Sequence, residues 1–257
     1  MPRPLLLIPA RLASTRLPDK PLAEIGGVPM IVQVWRRAME ADIGPVAVAC
    51  ADAAIAEAVA QAGGRAVLTD PALASGSDRI AAALALLDPE RRHDVIVNVQ
   101  GDLPTLAPAA IRAAAALLDD KAVAIGTLGA LIEPAGERAG ERDDPNVVKA
   151  AVEWHAAAAM PPQPGARGRA LYFSRHVIPS GEGECVHHIG LYAYRRGALE
   201  AFVAAPPSRL EGRERLEQLR ALALGLRIDL ALVADIPLGV DTQADLEEAR
   251  RRLAVRV

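Results

Sequence analysis

Short apolar runs alternate with helix-period segments through the first half of this 257-residue chain, and the alternation selects one fold class. Residues 5–8, 46–50, 66–68, 95–99 and 123–128 are of strand length and dominated by Leu, Val, Ile and Ala. Between them, 29–40 sets Ile31, Val34, Trp35 and Ala38 at helical spacing, with Pro29 suited to a first helical position. Asp52 is placed to cap a helix over 53–61, which Gly63 and Gly64 end. Ser77 is placed to cap a helix through 87, and 108–118 is helical. Strands without polar alternation are buried on both faces. The pattern therefore predicts an α/β protein with a doubly wound, mostly parallel sheet and helices on both faces.

The rhythm breaks after about residue 131. Residues 133–146 and 161–168 are rich in Gly, Pro and charge and read as loops, the first of them mobile. Residues 147–152 and 190–195 alternate like antiparallel strands, so 131–195 reads as a smaller subdomain inserted into one domain that spans 1–257. Its expected uses are substrate coverage and dimer contacts. Helices near 213–224 and 245–253 and a strand near 228–233 resume the α/β pattern.

Composition narrows the chemistry. Hydrophobic residues make up 51% of the chain but aromatics only 3%, so the core is aliphatic. A formal net charge of -3 argues against a non-specific nucleic-acid binder, which makes a local basic loop stand out. The two cysteines, Cys50 and Cys185, form no metal motif and no disulfide framework. Cys50 reads as a buried thiol, and Cys185 stands near His187 and His188. No signal pattern opens the sequence and no apolar run is long enough to span a bilayer, so the expectation is a soluble cytoplasmic protein.

That basic loop follows the first apolar run. Pro9, Ala10, Arg11, Ser14, Thr15, Arg16 and Lys20 crowd three cations and two hydroxyls into one turn. Guanidinium forks, exposed N–H groups and a lysine point charge suit a small polyanion. The loop is neither a Walker A motif nor a dinucleotide glycine fingerprint. Gln100-Gly101-Asp102 follows 95–99, where open α/β sheets bind ligands, and Asp102 is a natural Mg2+ ligand or a turn cap. Asp241, in 239–242, is either a second metal ligand or the cap of the last helix. Ser75 and Gly76 open a helix whose N–H groups suit a phosphate or a base carbonyl. His187 and His188 are neighbours on a strand and face opposite sides. Arg175 closes an aromatic run and suits a carboxylate or the surface. Glu217 and Gln218 read as helix-surface residues beside Leu216 and Leu219.

In order, IPARLASTRLPDKPL (8–22), SGSDR (75–79), VNVQGDLP (97–104), DPNVVK (144–149), YFSR (172–175), HHIGLYAYR (187–195), LEQLR (216–220) and GVDT (239–242) resemble the 3-deoxy-manno-octulosonate cytidylyltransferase family, from Leu5 to about Leu253. The resemblance implies a Rossmann-like nucleotidyltransferase that joins CTP and 3-deoxy-D-manno-octulosonate (Kdo) into CMP-Kdo and pyrophosphate, for lipopolysaccharide biosynthesis. It implies Mg2+ and a homodimer. By the same resemblance, Arg11, Ser14, Arg16 and Lys20 would bind the triphosphate, Ser75 and Gln100 the cytosine or ribose, and Asp102 and Asp241 the Mg2+. Arg79, Gln100, Arg175, His188, Tyr192, Glu217 and Gln218 would line the sugar-acid site. Leu103 stands where many members have Glu, and His187 where many have Arg or Lys. The competing readings are a cytidylyltransferase for a sialic, pseudaminic or 8-amino sugar acid, or a non-catalytic nucleotide binder.

Overall fold

The structure, a computed structural model, describes residues 2–13, 16–133, 138–156 and 159–254. Its elements are β1 (Pro4–Ala10), β2 (Glu24–Ile25), β3 (Val28–Pro29), α1 (Met30–Glu40), β4 (Val46–Cys50), α2 (Ala53–Gln61), β5 (Arg65–Leu68), α3 (Gly76–Leu87), β6 (Val95–Asn98) and α4 (Pro108–Ala116). They continue with β7 (Ile125–Ile132), β8 (Lys149–Trp154), β9 (Arg167–Ser174), β10 (Cys185–Arg195), α5 (Arg196–Ala204), α6 (Arg209–Glu214), α7 (Gln218–Ala223), β11 (Ile228–Leu232) and α8 (Gln243–Ala254). The chain divides into two compact units, Met1–Arg112 with Pro237–Val257, and Ala113–Ile236.

The first unit is doubly wound as expected. Its strands run in the order β5-β4-β1-β6, and every pairing is parallel. The chain steps from β1 to β4 to β5 on one side, then returns to place β6 on the other side of β1. Strand order thus reverses between β1 and β6, and in such sheets the ligand crevice lies beyond the carboxyl ends of the strands at that switch point. The loops that leave β1 and β6 carry Arg11 to Lys20 and Gln100 to Asp102. Leu6, Leu7, Ile8, Ile96 and Val97 are fully buried, as a parallel strand with covered faces requires.

The second unit is mixed. β10 pairs antiparallel with β7, β11 pairs parallel with β7, and β9 and β8 extend the set by antiparallel pairing. Between Ile189 and Tyr192 the β10–β7 register shifts, a β-bulge opposite Thr127 and Leu128.

Several local expectations change. Ser75, not Ser77, caps α3: its side chain accepts the Asp78 N–H while Asp78 accepts the Ser75 N–H, a capping box. Ser77 is buried inside the helix. Asp52 stands at the start of α2 but makes no side-chain cap. The helix expected over 213–224 is two helices, α6 and α7, separated at Arg215, whose φ of 56° is left-handed. Gln218 is buried rather than on the surface. Strand β9 and helix α5 follow no pattern recognised in the sequence. In the 133–146 stretch, Ala139–Arg142 form a 3-10 turn.

Candidate active site

The loop after β1 is held from two sides. The Leu12 N–H donates to Asp52 Oδ2 at 2.8 Å, so Asp52 anchors the basic loop instead of capping α2. Further along, Leu17 is buried with Ile25, Met30, Val240, Leu246 and Ala249, an apolar cluster that includes residues of α8 and the segment before it. Packing Leu17 against Val240 brings their neighbours together. Arg16 Nη2 lies 3.0 Å from Asp241 Oδ2. Lys20 Nζ lies 2.9 Å from Asp102 Oδ2 and 3.0 Å from Asp241 Oδ1. Ser14 and Thr15 lie outside the described residues.

Two backbone links hold the carboxylates in register. The Val240 N–H donates to the Asp102 carbonyl at 3.0 Å, and the Leu238 N–H to Thr105 Oγ1 at 2.8 Å. Gly101 permits the approach of this loop to β1, because a Cβ there would stand 2.7 Å from the Pro9 carbonyl oxygen. The sequence left open whether Asp241 caps α8. In the structure Asp245 accepts the N–H groups of Asp241 and Thr242 and the Thr242 hydroxyl, and Thr242 Oγ1 accepts the Asp245 N–H. The cap is thus a Thr-x-x-Asp box, and the Asp241 carboxylate is directed to Arg16 and Lys20. The box was readable in the sequence from its spacing.

Burial opposes the charge of Lys20, but the charges of Asp102 and Asp241 and its hydrogen bonds to both outweigh that. Its ammonium is held above the ordinary lysine pKa. Lys20 is therefore cationic at neutral pH.

These residues line a cleft of about 470 Å³ with Pro9, Ala10, Arg11, Ser75, Gly76, Arg79 and Gln100. Arg79 is buried; its Nη1 donates to Thr69 Oγ1 at 2.6 Å and to the Asp70 carbonyl at 3.2 Å. Its Nη2 is buried without a hydrogen-bond partner among the described residues. Burial, with the nearby charge of Arg11, lowers the Arg79 pKa from its usual value against the opposing pull of Asp52 and Asp70. An incoming anion or carbonyl oxygen would give Nη2 a partner.

Two hard oxygen ligands converging on one cation fit Mg2+, which takes one or two carboxylates and completes its shell from substrate phosphate and water. Among the described residues no group of three or more His, Cys, Asp or Glu side chains gathers as a metal site, so Cys185 with His187 and His188 does not form one. Both cysteine thiols are buried, and burial raises their pKa.

The remaining expected residues belong to the second unit. His188 Nε2 lies 3.0 Å from Thr127 Oγ1, and its ring meets Phe173 edge-on at 4.7 Å and Tyr192 at 5.6 Å. Burial, helped by the neighbouring His187, lowers the His188 pKa to about 3, so the ring is neutral. Burial, then Tyr194 and the negative charge of Glu217, raise the Tyr192 pKa well above its usual value. Glu217 lies 3.6 Å from Arg220, which also pairs with Glu211 and stacks over the Phe202 ring. His187 turns the other way and meets Glu141 Oε2 at 3.0 Å. Arg175 is engaged by the fold: Nε donates to the Glu214 carbonyl at 3.1 Å and Nη1 to the Pro145 carbonyl at 3.0 Å. Lys149, which sequence reasoning passed over, is fully buried and donates to the Asp144 and Arg175 carbonyls at 2.6 and 3.0 Å.

A reversed parallel sheet with a cationic first loop and two converging carboxylates at its switch point defines a nucleotidyltransferase. The sequence matches the Cytidylyltransferase family profile over residues 5–228. It is 63% identical over 254 residues to the 3-deoxy-manno-octulosonate cytidylyltransferase of Rhodospirillum centenum, covering 98% of this chain and 94% of that one. It is 59% identical over 256 residues to that of a Methylobacterium species, covering 100% and 99%. A solved structure of CMP:2-keto-3-deoxy-manno-octonic acid synthetase complexed with CTP superposes with a TM-score of 0.86 at 34% identity, over 99% of this chain and 100% of that one. A nucleotidyl transferase from Methanothermobacter shares the fold, with a TM-score of 0.58 at 15% identity. The chain belongs to the 3-deoxy-manno-octulosonate cytidylyltransferase family.

Proposed function

We propose that this chain joins CTP to Kdo, giving CMP-Kdo and pyrophosphate. The observation that carries the reading is the arrangement of Lys20 between Asp102 and Asp241, beside Arg16, in a cleft at the switch point. The two carboxylates and two cations balance one another. A triphosphate entering the cleft would draw Arg11, Arg16 and Lys20 to its oxygens and release both carboxylates for a cation.

The reaction is an in-line displacement at the α-phosphorus by a sugar hydroxyl, so the protein's work is positioning and charge stabilisation. Arg16 and Lys20 would neutralise charge that builds on the departing pyrophosphate. The first N–H groups of α3 would fix the nucleotide, together with Gln100; the Arg79 guanidinium, which the resemblance gives to the sugar acid, lines the same cleft and would meet an anion there. Asp102 and Asp241 would hold Mg2+, which when bound neutralises phosphate charge and lowers the pKa of the attacking hydroxyl. His188, Tyr192, Glu217 and Gln218 would take the sugar acid. Arg175 would support that set through the backbone it clamps.

The decisive measurement is pyrophosphate release from CTP, Mg2+ and Kdo, repeated with UTP and with N-acetylneuraminate. Turnover specific to CTP and Kdo is expected. Equal or faster turnover with N-acetylneuraminate would remove Kdo as the substrate, and no release with any sugar acid would remove the reaction.

Within the same reading the enzyme is a cytoplasmic homodimer, as the family resemblance implies. Among the described residues no helix is long and apolar enough to cross a membrane. Sedimentation velocity and cell fractionation test the dimer and the compartment.

A further inference from the structure

Thr127 on β7 is fully buried and faces three groups at once. Its Oγ1 lies 2.9 Å from the Leu191 carbonyl oxygen, 3.3 Å from the Ile189 carbonyl oxygen and 3.0 Å from His188 Nε2. The β10 bulge creates this arrangement: Thr127 pairs with Tyr192 and Leu128 with Ile189, so the intervening Gly190 and Leu191 bow out of register.

A threonine hydroxyl has one proton and two lone pairs. The two carbonyl oxygens only accept. If the proton pointed at His188, a hydroxyl lone pair would face carbonyl oxygens at 2.9 and 3.3 Å, a repulsive contact in a buried place. The proton therefore goes to a carbonyl, with Leu191 the nearer. What the hydroxyl then offers His188 is a lone pair, and Nε2 must supply the hydrogen. A neutral imidazole carries one N–H, so Nδ1 is left as an acceptor. Burial of this ring excludes the doubly protonated form at neutral pH. The flanking Phe173 and Tyr192 rings hold its plane. Among the described residues, Thr127 is the hydrogen-bond partner of the His188 ring.

We propose that Thr127 is a positioning residue that fixes His188 as the Nε2–H tautomer, so that Nδ1 accepts a hydrogen bond from a hydroxyl of the sugar acid and does not bind its carboxylate. The proposal rests on the assignment of His188 to the sugar site made above. It changes what that histidine does. A neutral ring whose Nδ1 carries a lone pair repels a carboxylate and selects a donor, so the carboxylate must be met by other groups.

The test uses the full-length enzyme labelled with 15N-histidine. In a long-range proton–nitrogen correlation spectrum at pH 7, protonated and lone-pair ring nitrogens resonate far apart. For His188 we expect Nε2 protonated and Nδ1 bare, with Nδ1 moving on addition of Kdo. In Thr127→Val the ring should lose its single tautomer, and KM for Kdo should rise about tenfold while KM for CTP stays unchanged. Thr127→Ser keeps the hydroxyl and should restore both readouts. A proton on Nδ1 in the wild-type enzyme overturns the proposal. So does an unchanged tautomer in Thr127→Val, or a KM for Kdo that does not move although the tautomer does. If Thr127→Val does not fold, the wild-type spectrum and Thr127→Ser decide: loss of the single tautomer in the serine variant also overturns it. Should the enzyme fail to turn over Kdo, the substrate reading falls, while the tautomer spectrum still decides whether Thr127 sets the ring.

Discussion

Asp245 accepts the backbone N–H of Asp241 at 3.1 Å, and this hydrogen bond separates two jobs that the sequence left on one residue. Asp245 and Thr242 terminate the helix, and the Asp241 carboxylate serves the cleft. The two aspartates should therefore fail differently. Asp241→Asn should lose turnover by orders of magnitude with little change in melting temperature. Asp245→Ala should cost about 1 kcal/mol of stability, as loss of a cap does, and reduce turnover far less. Pyrophosphate release and thermal melts on both variants check this. Equal catalytic losses would mean that the cap and the site are not separable.

Asp102→Asn should likewise fold and lose turnover by orders of magnitude. Its apparent requirement for Mg2+ should rise, because one of two hard oxygen donors has been weakened. A Mg2+ titration of activity measures this. Near-normal activity would rule out the two-carboxylate metal site.

Gly101→Ala tests the close approach of the loop to β1. A Cβ 2.7 Å from the Pro9 carbonyl oxygen forces backbone to move. The expected result is a loss of about 1–3 kcal/mol of stability and a raised KM for CTP, since Pro9 and Gln100 line the same cleft. Urea unfolding and initial-rate kinetics would report both.

Lys149→Met fills the same volume without the ammonium. It leaves the Asp144 and Arg175 carbonyls without their donor in a buried place. A loss of about 2 kcal/mol follows, or roughly 4–8 °C in melting temperature for a chain of this size. A melt indistinguishable from wild type would show that the two carbonyls find other donors.

The buried His188 predicts the acid limb of stability. Its folded pKa is lowered to about 3, while the unfolded chain titrates near pH 6.5. Between those values the unfolded state binds more protons, so stability falls as pH drops from about 6.5 toward 3, by at most about 1.4 kcal/mol per pH unit from this group. Above pH 6.5 the group contributes no slope. Unfolding at a series of pH values should show a shallower acid limb in His188→Gln than in wild type.

Much of the first unit could be read from the chain because its signals are local. Parallel strands buried on both faces appear as unbroken apolar runs, and 5–8, 46–50 and 95–99 each became a strand. The cationic loop announced itself by charge in a chain of net charge -3. Other features gave no local signal. Gln218 has the composition of a helix surface and is buried. Strand β9 sets Arg beside small residues only over 167–170 and follows directly on a Pro/Gly-rich loop, so its pattern was hidden. The role of Asp52 was misread for a related reason: a position before a helix has the form of a cap, and only the fold shows Leu12 taking that carboxylate.

By itself the sequence determined the α/β winding, the residue types of the cleft and the order of its motifs. These follow from periodicity and charge, which are properties of neighbours along the chain. Only the tertiary structure decided which oxygens meet Lys20, that Asp245 relieves Asp241 of capping, and that a bulge aims Leu191 and Ile189 at Thr127 and so orients His188. Each of these joins residues far apart in sequence, and a hydrogen bond depends on distances of a few tenths of an ångström that only packing sets.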